Sequence, residues 1–320
     1  MKRRQIISLV FVAWIFVAFD LGLYLGLTRR LGNQFGTFYR TQAIDPADYL
    51  PFSDDSLLPP VEAGHTLTGE LPVLDGAAAL FPVYAGVFQA LYPQQSLGWD
   101  GDAFTAGSKL QYRNTKQAFL AVADGRADLI FCAAPSQAQL EAAKELGAEL
   151  ELVPIGKEAF VFVVNEKNPM SDLTSDQIRA IYGGRITNWS QVGGPEIRIN
   201  ALQRDPGSGS QTALVSFMGD VPLMKPKYHL LAGSIGCSFR CYAEGITKTP
   251  GIKLLCVDGI YPGEAEIQSG SYPLCSYFYA IYRRDNENEN VQRILDWILS
   301  PDGQALIRSC GYTPLEEEGR

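Results

Sequence analysis

From Leu71 onward the chain repeats one unit: a short apolar run, a tight turn, and a stretch whose apolar residues recur at helical spacing. Leu71–Leu74 runs into Asp75-Gly76, and Ala79, Leu80, Val83, Tyr84, Val87, Phe88 and Leu91 then mark one face of a helix. Thr115 opens a second helical stretch that closes at Asp124-Gly125, and Ala127–Ala133 follows as a buried strand. The helix over Ser136–Leu146 leads to a strand at Glu149–Ile155. Strands that alternate with helices imply an α/β fold whose parallel sheet is covered on both faces.

A second such unit follows without an exposed spacer. Phe160–Asn165 reads as a long strand, and the helix ending at Tyr182 has Thr174 as its N-cap with Gln177 three residues on. Gly183-Gly184 closes that helix. Ile197–Leu202 is a strand, Arg204–Ser210 a loop, and Gln211–Met218 a helix. Tyr277–Tyr282 is an aromatic strand, and Val291–Leu299 and Gly303–Ser309 are two closing helices. At roughly 100–200 residues per domain, 320 residues allow about two compact bodies. The pattern fits two lobes joined by crossing strands, with a cleft between them.

The net charge of −8 understates how acidic the body is, because residues 1–30 hold Lys2, Arg3, Arg4, Arg29 and Arg30 against one acid, Asp20. No basic run appears after Arg30, which argues against a nucleic-acid partner. The two histidines, His65 and His229, lack metal-ligand spacing, and Cys237-Ser-Phe-Arg-Cys241 is neither C-x-x-C nor a zinc knuckle. No metal site and no cofactor are expected. The six cysteines (Cys132, Cys237, Cys241, Cys256, Cys275, Cys310) allow up to three bridges in an exported protein. Cys132 and Cys256 read as buried strand positions, where a free thiol is the simpler state.

The N-terminus begins Met1-Lys-Arg-Arg and continues with an apolar stretch from Ile6 to Leu27, interrupted by Asp20. That length suits a membrane span of about 20 residues better than a signal-peptide core. Residues 1–31 are therefore expected to be an uncleaved single-pass anchor that places the body on the extracytoplasmic side. Residues 32–68, rich in Gly and Pro and without periodicity, are read as a linker, and Glu316–Arg320 as a solvated tail.

The segment that carries chemistry is Gln203-Arg-Asp-Pro-Gly-Ser-Gly-Ser-Gln-Thr212. Its glycines let backbone approach a ligand, and the helix that starts here offers unpaired N–H groups with about half a positive charge at its end. Ser208 and Ser210 add hydroxyl donors, and Arg204 adds a planar cation that grips an oxyanion at two points. Together they describe an anion cradle. Two further helix starts are candidates for the same cleft: Asp75-Gly-Ala-Ala78, and Arg113-Asn-Thr115. Enzyme templates fit poorly. Gly207-Ser-Gly-Ser is not G-x-S-x-G, and there is no G-x-x-x-x-G-K-[ST]. No nucleophile has an evident base, although spacing alone leaves open a pair of carboxylates meeting in the cleft.

These residues resemble the phosphate-binding solute-binding proteins that serve phosphate ABC transporters, and their Gram-positive relatives. The resemblance covers about residues 70–315 and rests on several motifs. They are Asp75–Tyr84, Asp124–Phe131, Pro169 with Leu173-Thr174 and Gln177-Ile178, Gly184–Gly194, Arg204 with Gly207–Ser210, and Leu295–Gln304. It implies a two-lobed periplasmic-binding-protein-like fold (type II, Venus-flytrap) with two crossing strands and an oxyanion held between the lobes. Lobe 1 would take residues 69–158, lobe 2 residues 159–272, and residues 273–320 would return to lobe 1 and the tail. Arg204, Ser208, Gly209 and Ser210 match the phosphate loop, with Ser210 where threonine is usual. Ala77 and Ala78 stand where a Ser-Thr pair is common, leaving backbone N–H groups without hydroxyls. Ala133 stands where an aspartate commonly accepts the ligand's proton, and Arg113 precedes Asn114 and Thr115 where serine often begins the loop. If Arg113 points inward it adds positive charge to the site.

The expected ligand set is thus Ala77, Ala78, Arg113, Asn114, Thr115, Arg204, Ser208, Gly209 and Ser210. The expected function is non-enzymatic binding of a small oxyanion, phosphate in first place, for delivery to an ABC permease. A second reading is a membrane-tethered sensor or interaction module whose cleft has been reassigned, which the alanines favour. A third is a cleft hydrolase.

Overall fold

The computed structural model describes residues 44–61, 65–225, 233–246 and 251–315. The strands are β1 Leu74–Gly76, β2 Leu129–Ala133, β3 Leu150–Asn165, β4 Asp172–Leu173, β5 Asn200–Ala201, β6 Ser234–Phe239, β7 Ile252–Leu254, β8 Cys256–Val257 and β9 Cys275–Arg283. The α-helices are α1 Phe81–Leu91, α2 Thr115–Ala123, α3 Gln137–Glu145, α4 Ser175–Tyr182, α5 Gly209–Met218, α6 Glu264–Gln268, α7 Glu289–Ile298 and α8 Pro301–Ser309.

One sheet runs in the order β1-β2-β9-β3-β6-β5, with β7 also pairing β3. Its long member is β3, whose first half pairs antiparallel with β9 (Leu152↔Ile281, Glu158↔Ser276) and whose second half pairs antiparallel with β6 (Phe162↔Cys237). The two strands expected at Glu149–Ile155 and Phe160–Asn165 are therefore one strand, with a register irregularity between Pro154 and Gly156. Proline cannot donate to a ladder, so the break in register falls where that donor is missing. The expected parallel sheet is corrected to a mixed one. β1–β2, β5–β6 and β4–β8 are parallel, whereas every pairing of β3 and β9 is antiparallel. Helix–strand alternation reports the outer strands of each half, and the strands that cross between halves do not share that direction.

Two main cores lie on either side of this crossing. The first joins α1, α7 and α8 with Leu74, Phe131, Ile155 and Phe278. A satellite of Ala118, Phe119, Val122, Ile130 and Ile281 covers the other sheet face under α2. The second core packs Phe160, Phe162, Val164, Tyr182, Trp189, Leu214 and Phe217. Trp189 is fully buried and donates its indole N–H to the Gly233 carbonyl at 3.0 Å, so its one polar atom is satisfied inside the core. The capping box expected at Thr174 and Gln177 is present in both directions.

The linker reading of residues 32–68 needs correction where the chain is described. Ile44 and Leu67 are buried in the first core, the Tyr112 hydroxyl donates to the Ile44 carbonyl at 2.6 Å, and the Phe52 N–H donates to Gln89 Oε1 at 3.2 Å. The few apolar residues of this segment have no internal periodicity because they dock singly onto α1 and its neighbours. The expected anchor over 1–31 and the tail at 316–320 lie outside the described residues. No helix among the described residues is long and apolar enough to cross a membrane. All six cysteines are free thiols. Cys132 is fully buried in β2 as expected, while Cys256 is only half-buried.

Candidate functional site

Three helix starts and the middle of the crossing strands converge on one cavity of about 170 Å³. From the first half, Ala77 to Leu80 and Asn114-Thr115 line it, with Ala133 at the end of β2; from the second half come Arg204 and Ser208–Ser210. Arg204 follows β5, and its backbone N–H donates to Gln211 Oε1 at 2.8 Å, which ties the loop to the first turn of α5. Ser208 is the N-cap of α5 and its side chain accepts from the Gln211 N–H at 3.3 Å. Gly207 has φ +84°, a conformation that L side chains rarely adopt, which turns the loop into the helix.

The halves approach closely here. A methyl group built on Gly209 would lie 3.5 Å from the Phe239 ring and 3.9 Å from both Ala133 Cβ and Thr115 Oγ1. Asn114 caps α2, its side chain accepting from the Gln117 N–H at 3.0 Å. The α2 and α5 N-termini thus both border the same cavity, and their partial positive charges add to that of Arg204. Arg204 lies close enough to Cys237 and Tyr242 to favour their ionised forms, although burial dominates at both and holds the Cys237 thiol up at about 12. A larger groove of about 830 Å³ shares Ala133, Gly209, Phe239 and Ser276 with the cavity and opens between α2, α3 and α5.

Two expectations change. Arg113 is absent from the cavity wall: its guanidinium pairs with the Asp75 carboxylate, whose side chain is wholly buried. The same carboxylate accepts the Arg113 N–H at 3.1 Å and the Gly76 N–H at 2.9 Å. Burial pushes the Asp75 carboxyl up, and Arg113 draws it back down. Arg113 therefore neutralises a buried acid instead of adding charge to the site. At the first loop, the Ala77 N–H donates to the Phe131 carbonyl at 2.8 Å, so it is already committed to the sheet. Ala78 begins a short 3₁₀ turn at which no side chain caps the N-terminus.

Glu158 was not foreseen. It lies on β3 opposite Ser276, is 6% exposed and lines the cavity floor. Its carboxylate accepts N–H groups of Ala159 at 2.8 Å and Cys241 at 3.2 Å. Desolvation pushes the carboxyl up to about 7, outweighing those hydrogen bonds and the attraction of Arg240. The one signal in the sequence was an acid within an otherwise apolar strand. Tyr242, Phe278 and Tyr312 complete the floor, and the Tyr312 hydroxyl donates to the Ala79 carbonyl at 2.6 Å.

Comparison with known proteins agrees with this architecture. The model of the PBP superfamily domain matches residues 102–302. The phosphate-binding protein PstS of Borreliella burgdorferi is 26% identical over 175 residues, 48% of this chain and 62% of that relative. PstS of Bacillus subtilis is 24% identical over 169 residues and is covered to 54% of its length. The chain thus spans about three-fifths or less of these relatives. Protein SphX of Synechococcus elongatus is 24% identical over 76% of this chain and 86% of its own length. Among solved structures, an ABC-type phosphate transport receptor from Vibrio cholerae superposes with a TM-score of 0.55 at 19% identity, covering 75% of this chain and 98% of that one. At such identity the superposition speaks for the fold alone. The family match spans well over half of the chain, including the Arg204 loop and both crossing strands, and the chain belongs to the PBP superfamily.

Proposed function

We propose that the cleft captures a small oxyanion, phosphate, on the extracytoplasmic side of the membrane and hands it to an ABC permease without chemical change. The observation that carries this reading is the Arg204–Ser210 loop, which shares one cavity with the α2 N-terminus. A planar cation, serine hydroxyls and two helix ends supply hydrogen-bond donors from several directions, as a tetrahedral anion requires. The relatives named as phosphate-binding proteins support the same ligand. In this reading residues 1–31 hold the body at the membrane as a single-pass anchor.

The test is calorimetric titration of the purified full-length chain with phosphate, beside Arg204→Ala. A charge-assisted hydrogen-bonding partner contributes about 1.5–3 kcal/mol, so the substitution is expected to weaken binding about ten- to a hundredfold. Unchanged affinity would reject the assignment of the cradle. Ala77, Ala78 and Ala133 line the cavity without hydroxyl or carboxyl groups, and they favour one second reading, a tethered sensor with a reassigned cleft. Failure of the folded, ligand-free chain to bind any oxyanion would move the weight there.

A further inference from the structure

The cavity has two poles of opposite character. At one lie Arg204, Ser208 and Ser210; at the other, on the floor formed by the crossing strands, lies Glu158 with Tyr242, Phe278 and Tyr312. Glu158 is nine-tenths buried, and among the described residues no lysine or arginine nitrogen is in ion-pair contact with it. Arg240, the nearest cation acting on it, is engaged by Glu244 at 3.2 Å. The adjacent Lys157 turns away and donates its ammonium to the Gln268 carbonyl at 2.7 Å. The two N–H groups that Glu158 accepts leave part of its acceptor capacity unused, since a carboxylate takes about four hydrogen bonds. A volume of 170 Å³ corresponds to about six waters of bulk liquid and exceeds what a bare tetrahedral anion fills.

We infer that the cavity is shaped for a zwitterion, an alkyl phosphate that carries a primary ammonium group, with the phosphate on the Arg204 loop and the ammonium on Glu158. This deepens the anion-binding reading and rests on it. The carboxylate offers a charge-assisted hydrogen bond, and the surrounding aromatic rings offer their negative faces to a cation. An inorganic anion would leave Glu158 facing it across the cavity with no compensating cation.

Glu158 must be ionised for this role. The groups that act on it are Arg240 and Cys241 after β6, Tyr312 after α8 and Cys275 on β9. Arg240 favours the carboxylate, and burial holds the Cys241 and Tyr312 side chains protonated. Burial and Glu158 itself also push the Cys275 thiol up, so it too stays protonated.

The experiment titrates the full-length chain with phosphoethanolamine, with propyl phosphate as its uncharged counterpart, and with inorganic phosphate, from pH 6 to pH 8. Phosphoethanolamine is expected to bind about tenfold or more tighter than propyl phosphate at pH 8. That ratio should shrink towards pH 6 as Glu158 takes up a proton, and Glu158→Gln should bring it to within about twofold while leaving inorganic phosphate little changed. Should the variant fold poorly, the pH course of the wild-type ratio decides. Equal binding of the two esters, or binding of inorganic phosphate alone, overturns the zwitterion and leaves the anion cradle standing. Binding of none of the three overturns the cradle and this inference with it.

Discussion

Asp75 holds Arg113 at two points: its carboxylate accepts the Arg113 backbone N–H at 3.1 Å and pairs with the guanidinium of the same residue. Because Asp75 ends β1 and Arg113 leads into α2, this pairing fixes the first loop of the site to the third. The buried acid also takes the Gly76 N–H, so one side chain organises both approaches to the cavity.

Removing the cation should expose what the pair does. In Arg113→Ala the Asp75 side chain, at 0% exposure, is left without its counter-ion, and breaking a buried pair in this way costs about 3–5 kcal/mol. Urea unfolding of Arg113→Ala is expected to show that loss, with Asp75→Asn added in the same chain restoring most of it. Phosphate affinity should fall in the single variant as well, because Asn114 and Thr115 lose their placement.

Two glycines separate a structural requirement from a site requirement. A Cβ at Gly76 would lie 2.5 Å from the Phe131 carbonyl and 2.9 Å from the Tyr84 ring. Gly76→Ala is therefore expected to part β1 from β2 and destabilise the chain by about 1–3 kcal/mol. At Gly209 the nearest atom stands at 3.5 Å, which is ordinary contact. Gly209→Ala should keep its thermal midpoint within a few degrees yet weaken anion binding, because the methyl group enters the cavity.

Glu158 predicts a pH dependence of stability. Its folded-state pKa, about 7, lies above the ordinary 4.5, so the folded chain binds more protons than the unfolded chain between those values. The protonated acid is tolerated fully at low pH, and stability drains away as pH rises through about 7. The loss is on the order of 3 kcal/mol between the two limits. Denaturation of wild type and Glu158→Gln from pH 4.5 to pH 8 should show the variant gaining on wild type across that window. Parallel profiles would mean that the carboxyl is solvated.

At the first loop the missing hydroxyl can be restored. Ala78→Ser places a donor at a helix start that has no side-chain cap, and one added hydrogen bond contributes about 0.5–1.5 kcal/mol. Phosphate affinity is expected to rise about two- to tenfold by calorimetry. The converse change, Ser208→Ala, removes the α5 cap, which stabilises a helix by about 1 kcal/mol, and should lower both stability and affinity.

What the amino-acid sequence determined by itself is local. The cap at Thr174, the turn at Gly207 and the cradle chemistry of Arg204, Ser208 and Ser210 are legible because each depends on residues a few positions apart. The tertiary structure alone decided the rest. Whether Arg113 faced the ligand or a buried acid depended on Asp75, 38 residues earlier in the chain. Glu158 entered the cavity because β3 crosses from one core to the other as a single strand, and the two strand signals around it carried no sign of that continuity. Direction in the sheet was likewise invisible, since antiparallel crossing strands and parallel outer ones present the same apolar runs. Residues near 44–60 looked like a tether because their few apolar side chains are buried by partners elsewhere in the chain. Burial and charge pairing are properties of neighbours in space, and the chain order sets them only after the halves have closed around the crossing strands.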